Sequence, residues 1–298
     1  MNKAICNRLI LLSFLCLYIQ EINSQPYLNI LDTRVAYSPD KGLFRQKYPA
    51  ITLSYFSVGA SAPIQFKKKS ATLIFSPTYE RWNIAMTTDT RVEGIIMPLS
   101  FLKQFSGEKF SLLATVITRW NRELGHSVGN SQQWGGFVLG TFKKKDHITY
   151  KLGLYYNHEL FGEFFVPLLG IDWKINEKNN LFGVLPGNMV YEHSVSKVLY
   201  YGAAFRTFTN SYRLHQADPC MGNCDAKRYI RIDENQLGIF ADYYFSKRIV
   251  LNIEAGHSVF RKIREGAKDG KGTDYKMVLT EKDNFYGRAM LAYRLRFR

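Results

Sequence analysis

Three arginines near the C-terminus, Arg288, Arg294 and Arg296, fall on one parity of a segment whose other parity is apolar. A strand turns successive side chains to opposite faces, so these guanidiniums share a face away from Phe285, Gly287, Ala289, Leu291, Tyr293, Leu295 and Phe297. Polar groups with the same alternation occur upstream. Asp242 and Gln236 oppose Leu237, Ile239, Ala241 and Tyr243; Asn252 and Glu254 oppose Ile249, Leu251 and Ile253; Lys151 and Asn157 oppose Tyr150, Leu152, Leu154 and Tyr156. Brought together, these nine residues would line one polar interior. Two chemistries fit them. One is a network of paired charges that stiffens a closed structure, since buried charge must be paired. The other is a basic constriction that favours anions.

Catalytic patterns are absent. There is no Gly-x-Ser-x-Gly elbow, no His-Glu-x-x-His helix and no phosphate-binding glycine loop. His-Ser-Val recurs at His126, His193 and His257, which raises a lipid hydrolase. Adjacent strand residues point apart, however, so His257 and Ser258 cannot serve one site. His126 falls in an expected external loop and His193 at an expected short turn. No catalytic residue, cofactor or metal is therefore assigned. Cys220 and Cys224 flank a Gly222-Asn223 turn, and in an exported chain they read as a small loop disulfide. A zinc site would need His215 and Asp218 as well, and that spacing matches no standard closed site.

The elements that must position these groups are strands. Phe285 and Phe297 bracket the terminal segment at a span of roughly 40 Å for ~3.3 Å per residue. Tilted near 40°, that gives about 30 Å of height, enough for the ~25 Å apolar band of a membrane barrel with its aromatic girdles. The start of the chain agrees with export. Lys3 and Arg8 precede an apolar run from Leu9 to Ile19, and Ser24-Gln25 offers a cleavage site, so residues 1–24 read as a signal peptide. Residues 25–298 then form one domain.

No run approaches the ~18 apolar residues of a helical span. Mildly negative mean hydropathy still permits a barrel, where only alternate residues meet lipid. The 19 tyrosines and 21 phenylalanines suit two lipid–water boundaries. Without Lys3, Arg8 and Glu21, the 40 basic and 25 acidic residues become 38 and 24, a net charge of +14. An exported chain does not meet nucleic acid, so nucleic acid is excluded as a partner. Much of this charge sits in short turns such as Lys67-Lys68-Lys69, Lys143-Lys144-Lys145 and Lys247-Arg248.

Alternating segments are expected near 27–37, 50–66, 71–84, 91–104, 109–121, 132–143, 147–158, 164–175, 180–193, 197–212, 229–245, 249–261 and 284–297. Tight charged turns take turns with longer connections between them, the pattern of short periplasmic turns and external loops. The fold class is thus all-β, a transmembrane up-and-down antiparallel β-barrel. Closure with both termini at one end needs an even strand count. Pro186-Gly187-Asn188 interrupts the segment from Leu181 to Val195, which either folds inward, giving about twelve strands, or splits, giving fourteen; twelve is favoured. Leu113 and Ile117 would point inward, so the interior is expected to be partly filled.

The tyrosine-rich strands, the Leu185-Pro186 break before Tyr191, the leader ending before Gln25 and the aromatic C-terminal strand resemble a porin-like family of bacterial outer-membrane β-barrels of unknown function. The resemblance implies an outer-membrane location, and no activity or site residues come with it. Arg298 departs from the usual terminal aromatic. The expected partners are outer-membrane lipid, the barrel-assembly machinery and small anionic solutes, with the chain monomeric. Three readings follow: a pore or transporter for small solutes, a non-conducting structural or interaction barrel, and a lipid-acting enzyme.

Overall fold

The computed structural model describes residues 26–43, 51–66, 70–86, 89–105, 109–126, 129, 131–215, 227–268 and 274–296. The leader, the Lys67-Lys68-Lys69 turn, Cys220, Cys224, Phe297 and Arg298 lie outside them. The strands in chain order are β1 (Tyr27–Ser38), β2 (Thr52–Ala60), β3 (Ala62–Gln65), β4 (Ala71–Phe75), β5 (Thr78–Ala85), β6 (Thr90–Gln104), β7 (Phe110–Glu123), β8 (Gln132–Lys145) and β9 (Ile148–Glu159). They continue as β10 (Gly162–Lys174), β11 (Asn179–Leu185), β12 (Asn188–Ser194), β13 (Leu199–Arg213), β14 (Lys227–Tyr244), β15 (Ile249–Lys268), β16 (Asp274–Thr280) and β17 (Phe285–Arg296).

Neighbours pair antiparallel around a ring that closes where β1 meets β17, Tyr27 opposite Arg296. Three pairs of short strands act as single interrupted wall strands: β2 with β3, β4 with β5, and β16 with β17. Counted so, the wall is a closed barrel of fourteen strands. The segment left open by the sequence splits. β11 and β12 pair with each other and with β10 and β13, so the Pro186 hairpin stays in the wall instead of folding inward, and the count is fourteen rather than the favoured twelve. Gly183 makes this hairpin possible: its φ is +143°, and a Cβ there would sit 2.2 Å from the Asn188 carbonyl.

Three of the short turns share one chemistry. Asn176 Oδ1 accepts from the Lys178 and Asn179 amides, Ser196 Oγ from Val198 and Leu199, and Ser246 Oγ from Arg248 and Ile249. Small side chains that mimic a backbone acceptor let each hairpin reverse within a few residues. The outer face carries exposed Leu31, Val116, Leu152, Leu154, Leu169, Ile239, Ile253 and Leu291. Trp134, Tyr156 and Phe165 contact in sequence with centroids 5.1 and 4.9 Å apart, a fragment of an aromatic girdle.

Two elements exceed expectation. β15 runs on to Lys268, and β16 occupies part of what reads as a loop from Arg261 to Asp283. A bulge hides them: Phe260 takes a positive φ of 56°, and the buried set on β15 shifts from Asn252, Glu254 and Ser258 to Arg261 and Ile263. A period-2 search loses phase at that point.

Candidate functional site

The barrel interior divides into three zones. At the short-turn end, Arg294 is 1% exposed, and its Nη1 donates to Asp242 at 2.5 Å while Nε donates to Asn29 at 2.7 Å. Asn252 donates to the other Asp242 oxygen at 2.7 Å. Arg296 crosses from β17 to Glu192 on β12 with a two-point hydrogen bond, 2.9 and 2.6 Å. Tyr27 lies 3.8 Å beneath the Arg294 guanidinium, and Tyr200 lies 3.9 Å from that of Arg296. Tyr27 also meets Phe182 of β11 edge-on at 5.7 Å. The Arg296–Glu192 and Tyr27–Phe182 contacts reach across the interior from β17 and β1 to β12 and β11.

The middle zone holds Arg34, Arg206 and Arg288 with Asp32 and Glu254. Arg206 and Arg288 both address Glu254, Arg288 at 3.7 Å, and Tyr286 donates to it at 2.7 Å. Arg34 pairs with Asp32 at 2.8 Å and keeps 36% of its side chain exposed. Arg206 and Arg288 thus share the one carboxylate of Glu254, while Arg34 has Asp32 and lies within electrostatic reach of buried Glu80. Gly238 keeps the approach clear, since a Cβ there would sit 2.3 Å from the Tyr286 hydroxyl.

At the long-loop end the interior holds an apolar cluster beside a polar network. Ile51, Leu53, Trp82, Ile84, Val92, Tyr212, Ile230, Ile232 and Ile263 form one buried cluster. The end of β13 keeps its pairing with β14 as far as Arg213 opposite Tyr229 and also reaches β7, where Arg213 bridges Arg122 in parallel. Ser211 anchors this end. Its carbonyl accepts from Asn121 at 3.0 Å and Gln133 at 2.8 Å; its hydroxyl donates to Glu159 at 2.5 Å and accepts from the Leu160 amide at 3.2 Å. Tyr212 on the other face donates to Glu80 at 2.5 Å.

The nine residues singled out from sequence separate among these zones. Arg294, Asp242 and Asn252 meet at the turn end, with Arg296 beside them. Arg288 and Glu254 meet in the middle. Gln236 donates to Glu234 at 3.1 Å nearer the loop end. Lys151 pairs with Asp172 at 2.7 Å, and Asn157 donates to Glu159 at 2.5 Å, both on the β9 side and apart from the arginines. Sequence reasoning missed Glu192, Arg206, Arg34, Glu80 and Ser211. Glu192 lay in the segment of uncertain pairing. Glu80 shares its parity with Trp82 and Ile84, the reverse of a lipid-facing pattern.

The histidines stand apart. His126 stacks on His215 at 4.3 Å at the loop end, His193 contacts Asn179 at 2.8 Å near a short turn, and His257 packs on Phe285 while Ser258 is buried behind it. Among the described residues no three His, Cys, Asp or Glu side chains gather as metal ligands.

No family model matches the chain, and no curated protein matches it. Solved structures resemble it over most of its length. The NanC porin shares 8% identity at a TM-score of 0.38, covering 89% of this chain and 100% of its own. An outer-membrane channel of Pseudomonas putida F1 shares 10% at 0.45, covering 93% and 100%. The toluene transporter TodX of Pseudomonas putida shares 12% at 0.40, covering 89% and 88%. At these identities and scores they assign no family, and function must be read from the chain's own geometry.

Proposed function

We infer that the protein is an outer-membrane barrel that passes small solutes, anions preferred, along a lumen lined by these charged side chains. One observation carries the reading: Arg206 and Arg288 share the single carboxylate of Glu254 inside a closed wall whose outer face is apolar. A barrel needs only paired charges to be stiff; two guanidiniums on one carboxylate leave donors for an anion, which is a recognition feature. A solute would pass both the end of β13 at the loop end and the Arg296–Glu192 contact at the turn end. Chloride efflux from loaded vesicles, compared with potassium efflux, tests this. Faster chloride release with wild-type protein supports it, and equal rates with Arg288→Gln and wild type oppose it.

The second reading, a non-conducting structural or interaction barrel, is favoured by the Arg296–Glu192 contact and the apolar cluster at the loop end. It expects no efflux of either ion above that of empty vesicles.

A further inference from the structure

We propose that the outward faces of β14 and β15, where they emerge from the apolar band at the long-loop end, dock a phosphorylated glycolipid of the outer leaflet. The site needs the outer-membrane placement proposed above but no solute passage, since it faces away from the lumen.

The outward row of β14 locates it. Ile239 and Leu237 are 71% and 56% exposed, and the next outward positions toward the loops are Asn235, Asp233 and Arg231. Beside them the outward row of β15 changes from Ile253 and Ala255 to Lys262 and Arg264, which oppose Asp233 and Arg231 in register. A wall strand changes in this way where lipid tails end and headgroups begin. On β8, β9 and β10 the same boundary passes from Trp134, Tyr156 and Phe165 to Gln132, His158 and Glu163, a stretch with no Lys or Arg.

Two features of this face are costly by themselves. Arg231 and Arg264 stand directly opposite, and like charges so placed repel. One carboxylate, Asp233, bridges them. Its Oδ1 accepts from Arg231 Nη2 at 2.8 Å, Arg231 Nε at 2.9 Å and Thr209 at 2.8 Å, and its Oδ2 accepts from Arg264. Phe161, in the β9–β10 turn, lies 3.6 Å from the Arg231 guanidinium and holds its plane. Lys262 pairs with Glu281 at 2.8 Å and keeps 44% of its side chain exposed. With exposed Lys227 further out, four cations stand against two carboxylates. The second feature is Phe260. The bulge that turns Arg261 inward to Glu234, at 3.5 Å, leaves Phe260 at a φ of 56° and 77% exposed, more than any other large apolar side chain among the described residues. A bulky residue in that region of φ is strained, and here the strain points an aromatic ring outward two positions below Lys262.

The lining chooses the occupant. Paired guanidiniums match phosphate oxygens, and a phosphomonoester brings about −1.5 to −2 of charge at neutral pH to a face with a surplus of positive charge. A zwitterionic phospholipid brings its own ammonium and no net charge. Phe260 sits on the acyl side of the cations. Thr207 and Asn235, bonded to each other at 2.8 Å, set hydroxyl and amide groups beside Asp233. Phosphate between acyl chains and sugar hydroxyls is the headgroup of a phosphorylated glycolipid, and this face carries a group for each part.

The test uses the full chain in mild detergent, with native mass spectrometry counting bound diphosphoryl lipid A. One molecule per wild-type barrel is expected, held at least tenfold more weakly by Arg231→Gln/Arg264→Gln and severalfold more weakly by Phe260→Ser. Heat-modifiable migration checks that each variant is folded. Lys262→Gln leaves the Arg231–Asp233–Arg264 contact intact and should also weaken binding severalfold, so the outcome does not depend on the double variant folding. Lipid A stripped of its phosphates should bind the wild type at least tenfold more weakly than intact lipid. Binding indifferent to these substitutions, or equal for the two lipids, overturns the site. Full displacement of lipid A by millimolar inorganic phosphate assigns the arginines to free phosphate and overturns the glycolipid. Lipid binding without ion efflux upholds the site while the solute reading fails; efflux without lipid binding does the reverse.

Discussion

Neutralising Glu192 should loosen the turn end of the barrel by a measurable and predictable amount. Both Arg296 Nη atoms donate to its carboxylate, at 2.9 and 2.6 Å, and Glu192 is 0% exposed. With charge centres ~4 Å apart and an effective dielectric near 20, the attraction is about 4 kcal/mol. Removing one partner of a buried pair costs about 3–5 kcal/mol. Glu192→Gln leaves Arg296 over the rings of Tyr200 and Tyr27, at 3.9 and 5.4 Å, and such contacts retain about 1–2 kcal/mol. A net loss of about 2–3 kcal/mol is expected. The assay is urea unfolding in lipid vesicles, followed by tryptophan fluorescence, in a double-mutant cycle with Arg296→Leu. The exposed pair Lys174–Glu177, with side chains 51% and 90% exposed, serves as reference and should couple by about 0.5 kcal/mol or less. A Glu192–Arg296 coupling no larger than the reference refutes the idea that this contact ties β17 to β12.

Leu291→Arg places charge on the lipid face and should cost about 2–4 kcal/mol of barrel stability, measured by the same unfolding, whereas Arg288→Leu should cost less. Ser211→Val removes the hydroxyl that binds Glu159 and Leu160, so ion flux through the loop end should rise severalfold in vesicle efflux; unchanged flux would mean this contact does not limit passage. Cys220 and Cys224 should appear as one disulfide in non-reducing mass spectrometry of the exported protein, with heat-modifiable migration unchanged in the double serine variant.

Most of the wall was legible in the chain because lipid enforces strict alternation. In β17 every expected inward residue from Tyr286 to Arg296 takes the inner parity, with Tyr286, Met290, Ala292 and Arg294 buried and Leu291 outside. Legibility failed where lipid no longer dictates the outer face. β5 carries Arg81 and Asn83 outward and Trp82 and Ile84 inward, so hydropathy alone inverts its faces. β15 changes phase at Phe260, and on β13 Thr207 and Thr209 bond Asn235 and Asp233 of β14 while Phe208 and Tyr212 join the interior cluster. The interior was legible as a set of polar residues but not as a set of partners. Arg294 and Arg288 look equivalent in the ladder; Asp242 and Asn29 fix the first, whereas the second shares Glu254 with Arg206.

The reversal potential of single openings in a planar bilayer under a potassium chloride gradient tests the central claim most directly. A potential on the chloride side for the wild type, moving toward zero in Arg288→Gln, is the result that two guanidiniums on one carboxylate predict. A potential on the potassium side, or a bilayer silent with both chains, contradicts it.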